Sequence, residues 1–114
     1  MNKPRRFFLT RRQYELLLRM HQEGEEFVYE RGVGYVGLER VGWKSLEGLL
    51  RACAISIDSG TDVGEFERYT INSTGKYLLG HGERPEGFER LYPGVTEEDL
   101  RNMRRIYEGM LTID

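Results

Sequence analysis

Gly32-Val33-Gly34-Tyr35-Val36-Gly37 spells G-x-G-x-x-G, the spacing with which glycines let a backbone cradle phosphates. That chemistry needs a strand before the motif and a helix N-terminus after it. No helical periodicity begins at Gly37, and 114 residues are too few for a doubly wound sheet. A kinase-type loop would need a downstream lysine and two functional aspartates in a far larger domain. The motif therefore reads as a glycine-rich hairpin. Cys53 falls on the apolar side of an amphipathic stretch, which marks a small core residue rather than a nucleophile. His21 lies near the inner face of the first helix and His81 in a loop. With one cysteine and no His or Cys pair at ligand spacing, neither a metal site nor a cofactor is expected. Carboxylates are plentiful, but none has the apolar setting that tunes a general acid. The chain is not expected to be an enzyme.

Binding chemistry has more to work with. The net charge is −2, which argues against indiscriminate attachment to phosphate. Its distribution is uneven: residues 1–23 carry a balance of +4, while residues 81–114 carry eight acids against five arginines, a balance of −3. A basic arm touching nucleic acid suits that asymmetry, and so does a contact between two copies or with another protein.

Several elements must hold these groups. Residues 1–9 form a basic arm ending in Phe7-Phe8-Leu9, where Phe8 or Leu9 can staple the next helix. Thr10-x-x-Gln13 is a capping box opening a helix over about 11–22, with Tyr14, Leu17, Leu18 and His21 on one face and Gly24 as its C-cap. Phe27–Glu30 turns through Arg31-Gly32 into Gly34–Leu38 as a hairpin. Leu46, Leu49, Leu50 and Cys53 recur at i, i+3, i+4 and i+7, predicting a helix over 43–53. Ile55 and Ile57 alternate with polar residues, Ser59-Gly60-Thr61-Asp62 supplies a turn, and Phe66, Tyr69 and Ile71 set up a return strand. Asn72 caps a short helix in which Gly75 allows close packing. Residues 81–95 read as a loop with Phe88, Leu91 and Tyr92 tucked back onto the body. Thr96-x-x-Asp99 opens a last helix over about 97–110, with Leu100, Met103, Ile106, Tyr107 and Met110 as its stripe and Arg101, Arg104 and Arg105 outside it.

Helix, hairpin and the closing run Tyr69-Thr-Ile71-Asn72-x-x-Gly75-Lys76-x-x-Leu79 resemble the second half of a winged helix-turn-helix domain. The likeness is to MarR-like and PadR-like regulators and covers about residues 41–79. It implies an α+β fold, a small winged-helix domain over 10–80, from which this chain departs in carrying the 27–38 β-hairpin where such regulators place helix 2. To this is added a C-terminal helix, within 96–114, that packs on the domain or forms a homodimer. It also implies a DNA-binding transcriptional regulator. The helix after Trp43 would be the recognition helix, showing Lys44, Ser45, Glu47, Gly48 and Arg51 outward. Lys44, Ser45 and Arg51 would enter the groove of double-stranded DNA, with Arg5, Arg6, Arg11, Arg12 and Arg19 on its phosphates.

Glu47 repels phosphate, and the wing is acidic, with Asp58, Asp62, Glu65 and Glu67 around its turn. This favours a second expectation, a protein-binding winged helix such as a small phage or mobile-element product that inhibits a host protein. Its anchors would be Tyr29, Tyr35 and Trp43, with Asp62 and Glu65 on the wing. No apolar run approaches the ~20 residues a membrane span needs. The N-terminus lacks a signal-peptide core, so the cytoplasm is the expected compartment and no membrane partner is expected.

Overall fold

The computed structural model describes residues 9–58 and 66–112. The order is α1 (Arg11–Glu23), β1 (Phe27–Glu30), β2 (Val33–Val36), β3 (Glu39–Val41), α2 (Trp43–Arg51), β4 (Ile55–Ile57), β5 (Phe66–Ile71), α3 (Ser73–Leu78), α4 (Phe88–Leu91) and α5 (Glu97–Thr112). The five strands make one antiparallel sheet in the order β3-β2-β1-β5-β4. The architecture is mixed α+β, as the sequence patterns imply. No described helix is long and apolar enough to cross a membrane.

Register sorts the strand residues into two faces. Glu39, Val36, Phe27, Tyr69 and Ile57 stand opposite one another across the sheet. Phe27 and Val36 are fully buried, so this row faces the helices. Tyr14, Leu16, Leu17 and Met20 of α1 and Leu46 and Leu49 of α2 close over it. The other face carries the row Arg40, Tyr35, Val28 and Arg68, all exposed or half-buried.

Glu39 ends the inner row, and this explains β3, a strand of three residues that alternation alone does not reveal. Its carboxylate is gripped by Arg12 and Arg19 of α1, and Arg19 also donates to the carbonyl of Val36. Arg19 first and Arg12 second hold the Glu39 carboxyl below the usual carboxylate range. Arg12 also pairs with Glu15, and Arg19 lies 3.4 Å from Glu25. Two of the cations expected on DNA phosphates are thus engaged in fastening α1 to the edge of the sheet.

α1 carries the full Thr10–Gln13 capping box and ends at Gly24 in the left-handed conformation. α2 stops earlier than its apolar spacing predicts. Cys53 lies beyond it with φ 58°, its N–H donating to Leu50 at 3.0 Å while the N–H of Ala54 donates to Leu49 at 3.1 Å. Those two bonds are a Schellman motif with cysteine where glycine is usual. Cys53 is therefore a half-buried stop signal, and Ala52 and Ala54 take the buried places beside it. Replacing Cys53→Gly relieves a left-handed penalty of about 1–2 kcal/mol, partly offset by glycine's greater unfolded entropy. A rise in stability of about 0.5–1 kcal/mol is expected in urea denaturation.

The 81–95 segment contains α4, a short helix absent from the sequence reading. Phe88 and Tyr92 are buried as expected, but Leu91 is exposed, because a single turn directs Phe88 and Tyr92 inward and Leu91 away. Tyr92 donates its hydroxyl to the carbonyl of Ala52. α5 packs on its own domain through Leu100, Met103 and Tyr107, with the Tyr107 hydroxyl donating to Leu9 at 2.7 Å. Ile106 and Met110 of the same stripe stay exposed. Arg104 turns inward rather than out, donating to the carbonyls of Leu78 (3.0 Å) and Tyr77 (2.6 Å) at the end of α3.

Candidate functional site

Three pieces of the chain meet at one end of the sheet. The β1–β2 turn, Arg31-Gly32, has positive φ at both residues (48° and 85°), the two-residue geometry that matches strand twist. Glu30 is paired with Val33 on one side and Phe66 on the other, so the start of β5 lies at this same end. Gly34 is paired with Val41, which brings the passage Val41-Gly42-Trp43 into α2 alongside. An added Cβ at Gly34 would sit 2.8 Å from the Phe27 ring and from the Val41 carbonyl, so only glycine permits this approach.

The N-terminus of α2 is therefore presented at an edge, and it is bare. Gly42 is its N-cap, no side chain caps it, and no acid occupies its first turn. Unfilled helix N–H groups and the positive end of the macrodipole together favour an anion. Lys44 beside them is exposed, and no described residue pairs with it. Arg31 is likewise exposed and unpaired among the described residues. Arginine in a left-handed turn position costs about 1–2 kcal/mol, a local strain of the kind that gathers at functional sites. Trp43 is 49% exposed and packs its ring 5.2 Å from that of Tyr29.

The sequence-derived residues separate accordingly. Lys44 and Ser45 lie in the first turn of α2, with Ser45 half-buried and its N–H donating to Gly42 at 3.1 Å. Arg51 is 79% exposed at the other end, 3.4 Å from Glu47, where it lines a cleft of about 420 Å³ with Gln13, Leu91 and Tyr92. Gly48 does not look outward. A Cβ there would strike the Gln13 amide at 1.8 Å, so this face of α2 is packed on α1. Arg11 is exposed and unpaired among the described residues, whereas Arg12 and Arg19 are taken up by Glu39. Tyr29 and Trp43 share the inner side of the sheet, but Tyr35 is opposite Val28 on the outer one. The three aromatics do not form one surface. Arg5, Arg6, Asp62 and Glu65 lie outside the described residues.

No family model, curated protein or solved structure matches this chain. Arg31 and the uncapped Gly42 are the additions that sequence reasoning missed. Both had a signal: an arginine before glycine in a two-residue turn, and a helix start with no Ser, Thr, Asp or Asn before it.

Proposed function

We propose that this chain is a DNA-binding regulator of winged-helix type that places the N-terminus of α2 against duplex phosphates. The observation that carries the reading is the bare α2 N-terminus with Lys44 on it, at the end of the sheet where Arg31 turns β1 into β2. The sheet order supports the fold assignment, since β1, β5 and β4 are neighbours with α2 connecting β3 to β4, the placing a wing requires. Lys44 and Arg31 hold phosphate, the first-turn N–H groups add to them, and Ser45 reaches toward a base edge. Arg11 and the arginines of the arm extend the phosphate track. A homodimer joined across the exposed Ile106 and Met110 of α5 would present two such ends to a two-fold site.

The test is fluorescence anisotropy of a labelled mixed-sequence duplex at about 20 mM and about 150 mM salt. Binding that falls steeply with salt is expected, and Lys44→Ala and Arg31→Asn should each reduce the salt slope by about 0.9. Gly42→Asp is the sharpest variant. An added Cβ there meets nothing within 4 Å, so the aspartate caps α2 and stabilises the fold by a few tenths to about 1 kcal/mol. It also sets a negative charge where phosphate should lie, so binding should drop while stability rises. Unaltered binding by Gly42→Asp and Lys44→Ala would remove α2 from the interface.

A second reading is favoured by Trp43, a half-exposed aromatic braced by Tyr29. Such residues anchor protein interfaces. In that reading the same end of the molecule docks a protein partner, such as a host protein captured by a phage or mobile-element product. Absence of duplex binding even at the lower salt would favour it. Trp43 is the only tryptophan, so its emission would report the docking directly.

A further inference from the structure

We propose that the sheet face turned away from the helices is a contact between two copies of this chain, packed sheet to sheet about a twofold axis running along β1. The apolar part of this face is Val28, Val33, Tyr35 and Phe66, and both aromatics are 38% exposed. The four lie on neighbouring strands: Val33 and Phe66 flank Glu30, while Tyr35 and Arg68 flank Val28. A contiguous apolar patch with a charged rim marks an interaction surface. Nucleic acid does not suit it, because its arginines, Arg40 and Arg68, are matched by Glu30 and Asp58.

The order of residues across the sheet selects a second copy as the occupant. One row reads Arg40, Tyr35, Val28, Arg68 and Asp58, from β3 to the residue after β4, with Val28 on the central strand. Turned about an axis along β1, the row meets itself reversed. Arg40 then faces Asp58, Tyr35 faces Arg68, and Val28 faces Val28, so each charge meets an opposite charge or an aromatic ring. An axis across the strands would instead set Arg40 on Arg40 and Arg68 on Arg68, so the charges choose the first orientation. Arg40 is exposed and unpaired among the described residues, while Asp58 already lies 3.4 Å from Arg68. In the next row Phe66 faces Val33, and Glu30 meets its own twin on the axis, a repulsion at the exposed end of the sheet. Sheets packed in this way stand about 10 Å apart, a gap that side chains of this length fill from both sides. The same patch serves both copies, so the contact closes at two. It is separate from the contact across Ile106 and Met110 of α5 and does not depend on DNA binding.

The experiment is sedimentation equilibrium of the full chain, without DNA, over a concentration range from about 1 to about 500 μM. Strands of three to six residues make a face smaller than a permanent interface, so a monomer–dimer equilibrium in the micromolar range is expected. Arg40→Asp and Asp58→Arg should each weaken it at least about tenfold, because each sets two like-charge pairs across the axis. Mixed in equal amounts, the two variants should associate as the parent does, since in the mixed pair every arginine again faces an aspartate. Glu30→Gln should tighten the dimer about two- to fivefold, and Ile106→Glu should leave it unchanged. If circular dichroism shows that Asp58→Arg does not fold, Tyr35→Arg replaces it, sets like charge against Arg68, and should weaken the dimer by the same factor. A monomer at every concentration, a dimer lost in Ile106→Glu but untouched by Arg40→Asp, or a folded pair of variants that fails to associate on mixing would overturn the contact.

Discussion

Replacing Gly75→Ala should destabilise the fold by about 3 kcal/mol or more, measured as a fall in the urea midpoint at constant slope. An added Cβ would lie 2.2 Å from the carbonyl oxygen of Ala54 and 2.7 Å from Ile71 Cγ1. Neither can withdraw cheaply. The Ala54 carbonyl accepts the N–H of Asn72 at 3.1 Å, and the Asn72 side chain in turn accepts the N–H of Gly75 at 2.9 Å and donates to Ser56 at 2.8 Å. A methyl group here pushes apart the link between the end of α2, the sheet and α3. Alanine's helix propensity returns only about 1 kcal/mol. Gly109 of α5 is the control, since a Cβ there meets nothing within 4 Å and the same exchange should stabilise by up to about 1 kcal/mol. Equal effects at the two positions would sink the steric account.

Phe88→Ala should cost about 3–5 kcal/mol, the range for emptying a fully buried aromatic site. Phe88 sits edge-on to Tyr77 and stacked on Tyr92, both at 4.9 Å, with the Arg84 guanidinium 5.1 Å from its ring centre. It fastens the whole 81–95 segment to the body. Hydrogen exchange should accordingly show the backbone from α4 to the start of α5 losing protection in the variant. A loss below about 1 kcal/mol would mean that the segment does not share in the cooperative fold.

Local signals were the legible ones. Thr10 with Gln13, Gly24, Asn72 with Gly75, and Thr96 with Asp99 all do what their spacing implies, because a cap is decided within four residues. Features that depend on distant partners were not legible. Glu39 in β3 is held by Arg12 and Arg19, 27 and 20 positions away, so neither the strand nor the use of those arginines can be read from neighbours. Arg104 faced inward against expectation for the same reason, its acceptors being carbonyls of α3. Periodicity carried Cys53 into α2 because spacing records side-chain character and not the sign of φ. The same limit split the candidate site. Lys44 and Ser45 were visible on their helix, but the placing of Arg31 at the same end of the sheet depends on how β1, β2 and β3 align.

The central position of β1 also bears on how the chain reaches this structure. β1 can pair with β2 across a two-residue turn, a local event on the microsecond scale. Its other neighbour is β5, where Phe27 meets Tyr69, 42 positions later. That closure must wait for α2 and the segment beyond it, so it carries the entropic cost of the longest loop in the sheet. The β1–β2–β3 meander is thus the natural nucleus, and docking of β5 is the slow step. Until β5 arrives, one edge of β1 remains open, and the nascent chain is exposed there to strand pairing with another copy.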